Sequence, residues 1–153
     1  MKRLPSFLLL CVWASAVIAD PVLIGRWVSD REASATFNEK YAQLEPKTAA
    51  FLRDSMGRLV VDFGAHEVSY RLPNWESTIE GKRFPITGFT ETHPYRVVAS
   101  TATTVAIETV QPVSHETVIV VYNFVAPDKT WIYVSIPDSH LREYFTRDHQ
   151  HQD

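Results

Sequence analysis

Hydrophobic and polar residues alternate with a period of two along most of the chain, and one early segment breaks that rhythm. The first structured run, Leu23-Ile24-Gly25-Arg26-Trp27-Val28, reads as a strand ending in the polar turn of residues 29–32. Next the period lengthens to about 3.6. Thr36 followed by Glu39 forms a capping-box pattern, and Phe37, Tyr41 and Leu44 share one helical face. Pro46 interrupts this helix. Residues 47–56 then predict a second one, with Ala49, Leu52 and Met56 aligned and Gly57 as its stop. These apolar positions predict packing of a helical insertion, about residues 34–56, against a sheet.

From Arg58 the period returns to two. Leu59, Val61 and Phe63 alternate, Gly64-Ala65 marks a hairpin turn, and Val68, Tyr70 and Leu72 alternate on the way back. Residues 75–82 read as a polar loop around Glu80-Gly81. Residues 83–91 read as a strand bent at Pro85 or Gly88, which Pro94 ends; Tyr95, Val97 and Ala99 begin another. Residues 104–110 follow as a strand. Residues 116–125, apolar on both faces, predict a central strand with the barrel interior on one side and a helix on the other. After a turn at Pro127-Asp128, residues 130–136 form a further strand. Residues 138–147 fit either a helical turn or a last strand closing on the first, and 148–153 a disordered tail. The expected fold is mainly β with a helical insertion: an antiparallel meander barrel of eight or nine strands, occupying residues 20–147 as a single domain.

Residues 1–19 have a different composition. Lys2 and Arg3 precede a short apolar run from Phe7 to Trp13, and small residues lead to Asp20, the pattern of a secretory signal peptide cleaved after Ala19. The run falls short of the roughly 20 apolar residues that span a bilayer. Periplasmic or secreted location is therefore expected, with no stable membrane insertion. The single cysteine, Cys11, lies in this leader, and the bulky residue before it disfavours a lipid-anchor site. Cleavage leaves 134 residues without a thiol, enough for a core-stabilised domain. It also leaves 13 basic against 18 acidic residues, a net charge of −5 with no basic block, which argues against a nucleic-acid partner.

Gly25-Arg26-Trp27 at the start of a small exported β chain resembles the Gly-x-Trp signature of the lipocalin-like (calycin) barrels. The Trp-Val-Ser-Asp opening and Arg-Glu-Tyr-Phe ending also resemble small bacterial envelope proteins. The resemblance implies that Trp27 packs across one barrel end under an arginine from near the last strand, Arg142 in first place and Arg147 in second. Gly25, Trp27 and Arg142 are structural residues in this view. The chain departs from the family in its helical insertion after the first strand and in having no disulfide.

Chemistry is sparse. No His-Glu-x-x-His, phosphate-binding glycine loop or Gly-x-Ser-x-Gly elbow occurs, so neither an enzyme nor a cofactor is expected. Ser114-His115-Glu116 reads as a polar turn, because a catalytic triad assembles from distant segments. His66, His93 and His115 fall at or near predicted turns. His149 and His151 sit beside Asp148 and Asp153 in the tail, short of the preorganised ligand set a metal site needs, and no metal is expected. Aromatic residues are the stronger signal. Tyr70, Trp75, Tyr95, Tyr122, Trp131 and Tyr133, interleaved with Arg71 and Arg96, could line a cup for an apolar or aromatic ligand or simply fill the core. The leading expectation is an exported protein binding a small apolar molecule. The alternative is an envelope protein-interaction module, such as an inhibitor, immunity protein or assembly factor, using the acidic surface and a Trp75 loop.

Overall fold

The computed structural model describes residues 22–134 and 140–151. The leader with its cleavage site, Pro137 and the last two residues lie outside the described residues. Ten strands form among the described residues: β1 (Gly25–Asp30), β2 (Val60–Phe63), β3 (Glu67–Leu72), β4 (Trp75–Ile79), β5 (Lys82–Ile86), β6 (Phe89–Ser100), β7 (Thr104–Val110), β8 (Thr117–Ala126), β9 (Lys129–Tyr133) and β10 (Arg142–Asp148). Two helices, α1 (Arg31–Tyr41) and α2 (Pro46–Ser55), separate β1 from β2. Eight strands close into an antiparallel barrel in the order β1-β2-β3-β6-β7-β8-β9-β10, and β10 returns to β1. Removing the β4–β5 excursion leaves a plain up-and-down meander. Among the described residues, no helix is long and apolar enough to cross a membrane.

The period-two pattern decides which side chains enter. Val61 and Phe63 of β2, Val68 and Tyr70 of β3, Val105 and Ile107 of β7, and Phe145 of β10 all point inward and form the core with Leu23, Trp27 and Tyr122. In β6 the inward set is Phe89, Glu91, His93 and Tyr95, since Glu91 pairs with Tyr70 and His93 with Val68. Pro94 does not end this strand. Glu67↔Pro94 is the last pair with β3 and Tyr95↔Thr109 the first with β7, so the missing proline N–H falls where β6 exchanges one neighbour for the other.

Several expectations are corrected. Residues 75–82 are not a polar loop: β4 and β5 form a separate hairpin that packs on α2. The segment 138–147 contains the closing strand, which runs through Asp148 and is followed by a short 3-10 turn at His149–His151. Helix α1 starts at Arg31, well before Thr36, because the Asp30 carboxylate accepts from the Ala33 N–H at 3.0 Å and caps it. Glu39 instead pairs with Arg53 of α2. Gly57 ends the second helical piece as expected. Its φ is +82°, and a Cβ there would stand 2.7 Å from the Arg31 Cβ. Nor does a helix cover β8, because α1 packs on β10 and leaves Ile119, Val121 and Val125 exposed on the outer face.

Helix α1 does more than cover β10. The last β1–β10 pair is Asp30↔Tyr144, where β1 turns into the helix. Beyond it, Ser34 Oγ accepts from the Tyr144 N–H at 2.9 Å. The Asn38 amide accepts from the Arg142 N–H at 2.9 Å and donates to its carbonyl at 2.8 Å. Two side chains one helical turn apart thus continue the ladder that β1 abandons, which explains why both polar residues are buried.

Candidate functional site

The two barrel ends differ. At the end where β1 starts, Trp27 is 1% exposed, donates from Nε1 to the Leu23 carbonyl at 2.7 Å and meets Phe124 edge-on at 5.8 Å. Gly25 has a φ of +122°, open only to glycine, which lets the chain turn into the strand from the Leu23 segment. The guanidinium over the Trp27 ring, 4.3 Å from its centroid, belongs to Arg147. Arg147 also donates to the carbonyls of Ile24 and Val22, binding the entry segment across the barrel bottom. Burial lowers its pKa from the ordinary arginine value.

Arg142, the first expectation for this part, lies elsewhere. Phe145 faces the interior, so Glu143 and Arg147 share its side and Arg142 faces outward. Its guanidinium sits 3.6 Å from the Trp131 centroid and 4.2 Å from that of Phe37, with Nη2 donating to the Tyr133 hydroxyl at 3.2 Å. Arg142 therefore fastens α1 to the barrel wall.

Among the described residues, the opposite end is open. A cavity of about 400 Å³ is lined by Leu59, Phe89, Val118, Val120 and Ile132, with Tyr70, Thr109, Tyr122 and Glu143 among its polar groups. Consecutive β8 residues from Val118 to Tyr122 line it, so the strand presents its backbone edge as well as a face. The pairing explains this: β8 bonds to β7 from Thr117 to Asn123 but to β9 only from Asn123 to Ala126. The two strands splay apart toward the mouth.

The polar groups converge in an apolar setting. The side chains of Tyr70, Thr109 and Tyr122 meet in this lining, and the two phenols act on each other. Burial raises the pKa of both phenols, that of Tyr122 well above its ordinary value, with further upward contributions from Tyr70 and Glu143. Glu143 accepts from Ser29 Oγ at 2.6 Å, yet burial outweighs that bond and its carboxyl pKa is raised. Such a carboxyl can accept a proton or a hydrogen bond from a guest at moderate pH.

The aromatic residues singled out above divide accordingly. Tyr70 and Tyr122 line the cavity, and Tyr133 lines its mouth. Tyr95 points inward toward the closed end, edge-on to Phe63, and its hydroxyl donates to the Gly64 carbonyl at 2.8 Å. Arg96 is exposed and paired with Glu108 at 2.8 Å. Arg71 is paired with Asp62 at 3.2 Å on the outer face. Trp131 faces Arg142 under α1, and Trp75 donates to Asp54 of α2 at 3.1 Å. Neither tryptophan reaches the cavity. Glu143 was missed, although its spacing of two from Phe145 marks it as inward.

The histidines are also redistributed. His93 is an inward residue of β6, with Nε2 2.8 Å from Glu91 Oε2. His115, from the β7–β8 loop, brings Nδ1 within 3.8 Å of the same oxygen. These three residues are therefore gathered where β6 meets the β7–β8 loop and have the chemistry to hold a metal ion. Comparison with models of known families, with characterised proteins and with solved structures finds no match.

Proposed function

We propose that this chain is an exported, lipocalin-like carrier of the cell envelope that holds a small apolar or aromatic molecule in the open end of its barrel. The cavity carries this reading: its volume of about 400 Å³ falls in the range of small-molecule sites, roughly 300–1,000 Å³, and apolar walls surround a few convergent polar groups. The closed end supports the lipocalin-like assignment, since Trp27 lies under an arginine of the last strand. A fitting guest is apolar over most of its surface and carries one hydroxyl or amine to meet Glu143, Tyr70 and Tyr122. The leader pattern supports export.

The test is binding of an environment-sensitive naphthylamine fluorophore, with native mass spectrometry of protein purified from its own host. Saturable binding that Val120→Trp abolishes by filling the cavity, and that Trp75→Ala leaves intact, is the expected result. An interior that takes up no fluorophore, together with no co-purifying mass, would refute the carrier role.

One observation favours a protein-interaction role as second reading. Ile119, Val121 and Val125 form an exposed apolar row on β8, with Ile119 63% exposed, next to the splayed strand edge. In this reading Val125→Lys, at a position outside the cavity lining, abolishes stoichiometric recovery of a purified partner without changing fluorophore uptake. Equal recovery by the variant and the parent would count against it.

A further inference from the structure

The meeting of β6 with the β7–β8 loop carries a second assembly that ligand carriage does not use. Glu91 and His93, two apart on β6, project into the same interior, where their strand neighbours are Tyr70 and Val68. A carboxylate and an imidazole would be costly there without partners. Among the described residues, the cationic or imidazole groups within 4 Å of the Glu91 carboxylate are His93, at 2.8 Å, and His115, at 3.8 Å. The three ligand atoms all lie within 4.8 Å of one another.

We propose that Glu91, His93 and His115 form a binding site for a divalent transition-metal ion of the zinc type. Two imidazoles and one carboxylate are an established ligand set for zinc and for non-haem iron. Bonds of about 2.0–2.1 Å in tetrahedral geometry place ligand atoms roughly 3.4 Å apart. The observed separations of 2.8 and 3.8 Å bracket that edge, so small side-chain rotations admit the ion.

The loop that delivers His115 is built for the purpose. His115 has a φ of +56° and Val113 one of +74°, left-handed conformations that residues other than glycine rarely adopt. The His115 N–H donates to the Gln111 carbonyl at 3.0 Å, and the Gln111 N–H donates to the Glu116 carbonyl at 2.8 Å, closing the loop on itself. The side chains of Glu91 and His93 are 23% and 17% exposed, whereas that of His115 is 64% exposed. The fourth coordination position therefore faces solvent and is free for water or an added ligand. Since Gln111 and Pro112 line the cavity, an ion here also fixes one wall of its mouth.

The decisive experiment is titration of Co²⁺, as a spectroscopic substitute for zinc, into untagged mature protein carrying His149→Ala and His151→Ala. Those substitutions remove binding by the terminal histidines. One equivalent should bind with visible d–d absorption, and the imidazole ¹⁵N resonances of His93 and His115 should shift with Zn²⁺. His93→Ala or His115→Gly should weaken binding by about 100-fold or more, beyond the 10- to 100-fold typical of changes one shell further out. Glycine at 115 accepts the positive φ, so that variant stays folded, as far-ultraviolet circular dichroism of the metal-free protein would verify. Absence of one-equivalent binding in the parent, or a loss below tenfold in His115→Gly, overturns the site. Because the probe is the metal alone, the result is independent of whether the cavity takes an organic guest.

Discussion

Trp27, Arg147 and Glu143 illustrate how much one side chain's facing decides. Burial at 1% exposure and three-sided packing predict that Trp27→Ala loses about 3–5 kcal/mol of stability, read by urea denaturation. Arg147→Ala should change the quenching of Trp27 fluorescence more than Arg142→Ala, because of the two arginines Arg147 lies over that ring and Arg142 over Trp131. Arg142→Ala should instead loosen α1. The order expected of the two arginines is reversed, since the guanidinium over Trp27 is that of Arg147 and the one of Arg142 lies over Trp131. Strand parity would have corrected it, since Arg147 lies two residues from the inward Phe145 and Arg142 three. Glu143 yields a pH prediction. Its folded pKa is raised, so the folded chain binds its proton more tightly than the unfolded chain. That stability is fully present below the ordinary glutamate value near 4.3 and is lost as pH rises through the folded value. Glu143→Gln, which still accepts from Ser29, should match the parent in acid and exceed it at neutral pH. Equal stability at neutral pH would contradict the burial argument.

At the scale of elements, the most instructive is α1. The presence of a helical insertion was legible, but of the apolar face expected for it Tyr41 is half exposed and Leu44 lies beyond the helix end. The start of α1 was not legible, because Asp30 closes β1 and caps α1 with the same residue, whereas Thr36 and Glu39 offered a more conventional pattern. Ser34 and Asn38 carried no signal as buried residues, since small polar residues in helices usually face water. Their role depends on β10, more than a hundred residues away. Asn38→Ala leaves both the N–H and the carbonyl of Arg142 without their side-chain partner, and an expected loss of about 1–3 kcal/mol follows from stranded backbone groups. Accelerated amide exchange at Arg142 and Tyr144 would locate the damage. The β4–β5 hairpin escaped notice for a related reason. It lies outside the barrel and packs on α2, so its residues lack the strong alternation that burial imposes on β2, β3 and β7. Pro94 misled in the opposite direction, because only the stagger between β3 and β7 makes room for it.

The molecule as a whole is an eight-stranded cage with one end stoppered and the other ajar. The strand count, the antiparallel order and the presence of a helical insertion were readable from periodicity, because a closed sheet forces every strand to alternate. The mouth was not readable, since it is made by strands β8 and β9 parting, a property of register. For the same reason half of the aromatic residues expected to form a cup sit elsewhere, and the cavity's carboxyl comes from the closing strand β10. A fluorophore in the cavity should raise the thermal midpoint in proportion to the logarithm of its concentration, as selective binding to the folded state requires, and Val120→Trp should lose that dependence.

The pairing of β1 with β10 has a further consequence in time. Ser29 meets Phe145, so the seam that turns an open sheet into a ring joins residues 116 apart. Such distant contacts form late and slowly. Until Arg142–Asp148 has emerged and docked, the other strands exist as a curved sheet with two bare edges, one of them β1, able to stick to neighbouring chains. A chain cut after residue 141 should therefore aggregate at concentrations where the intact one stays monodisperse. Any factor that escorts the nascent form has most to gain by shielding β1 during that interval.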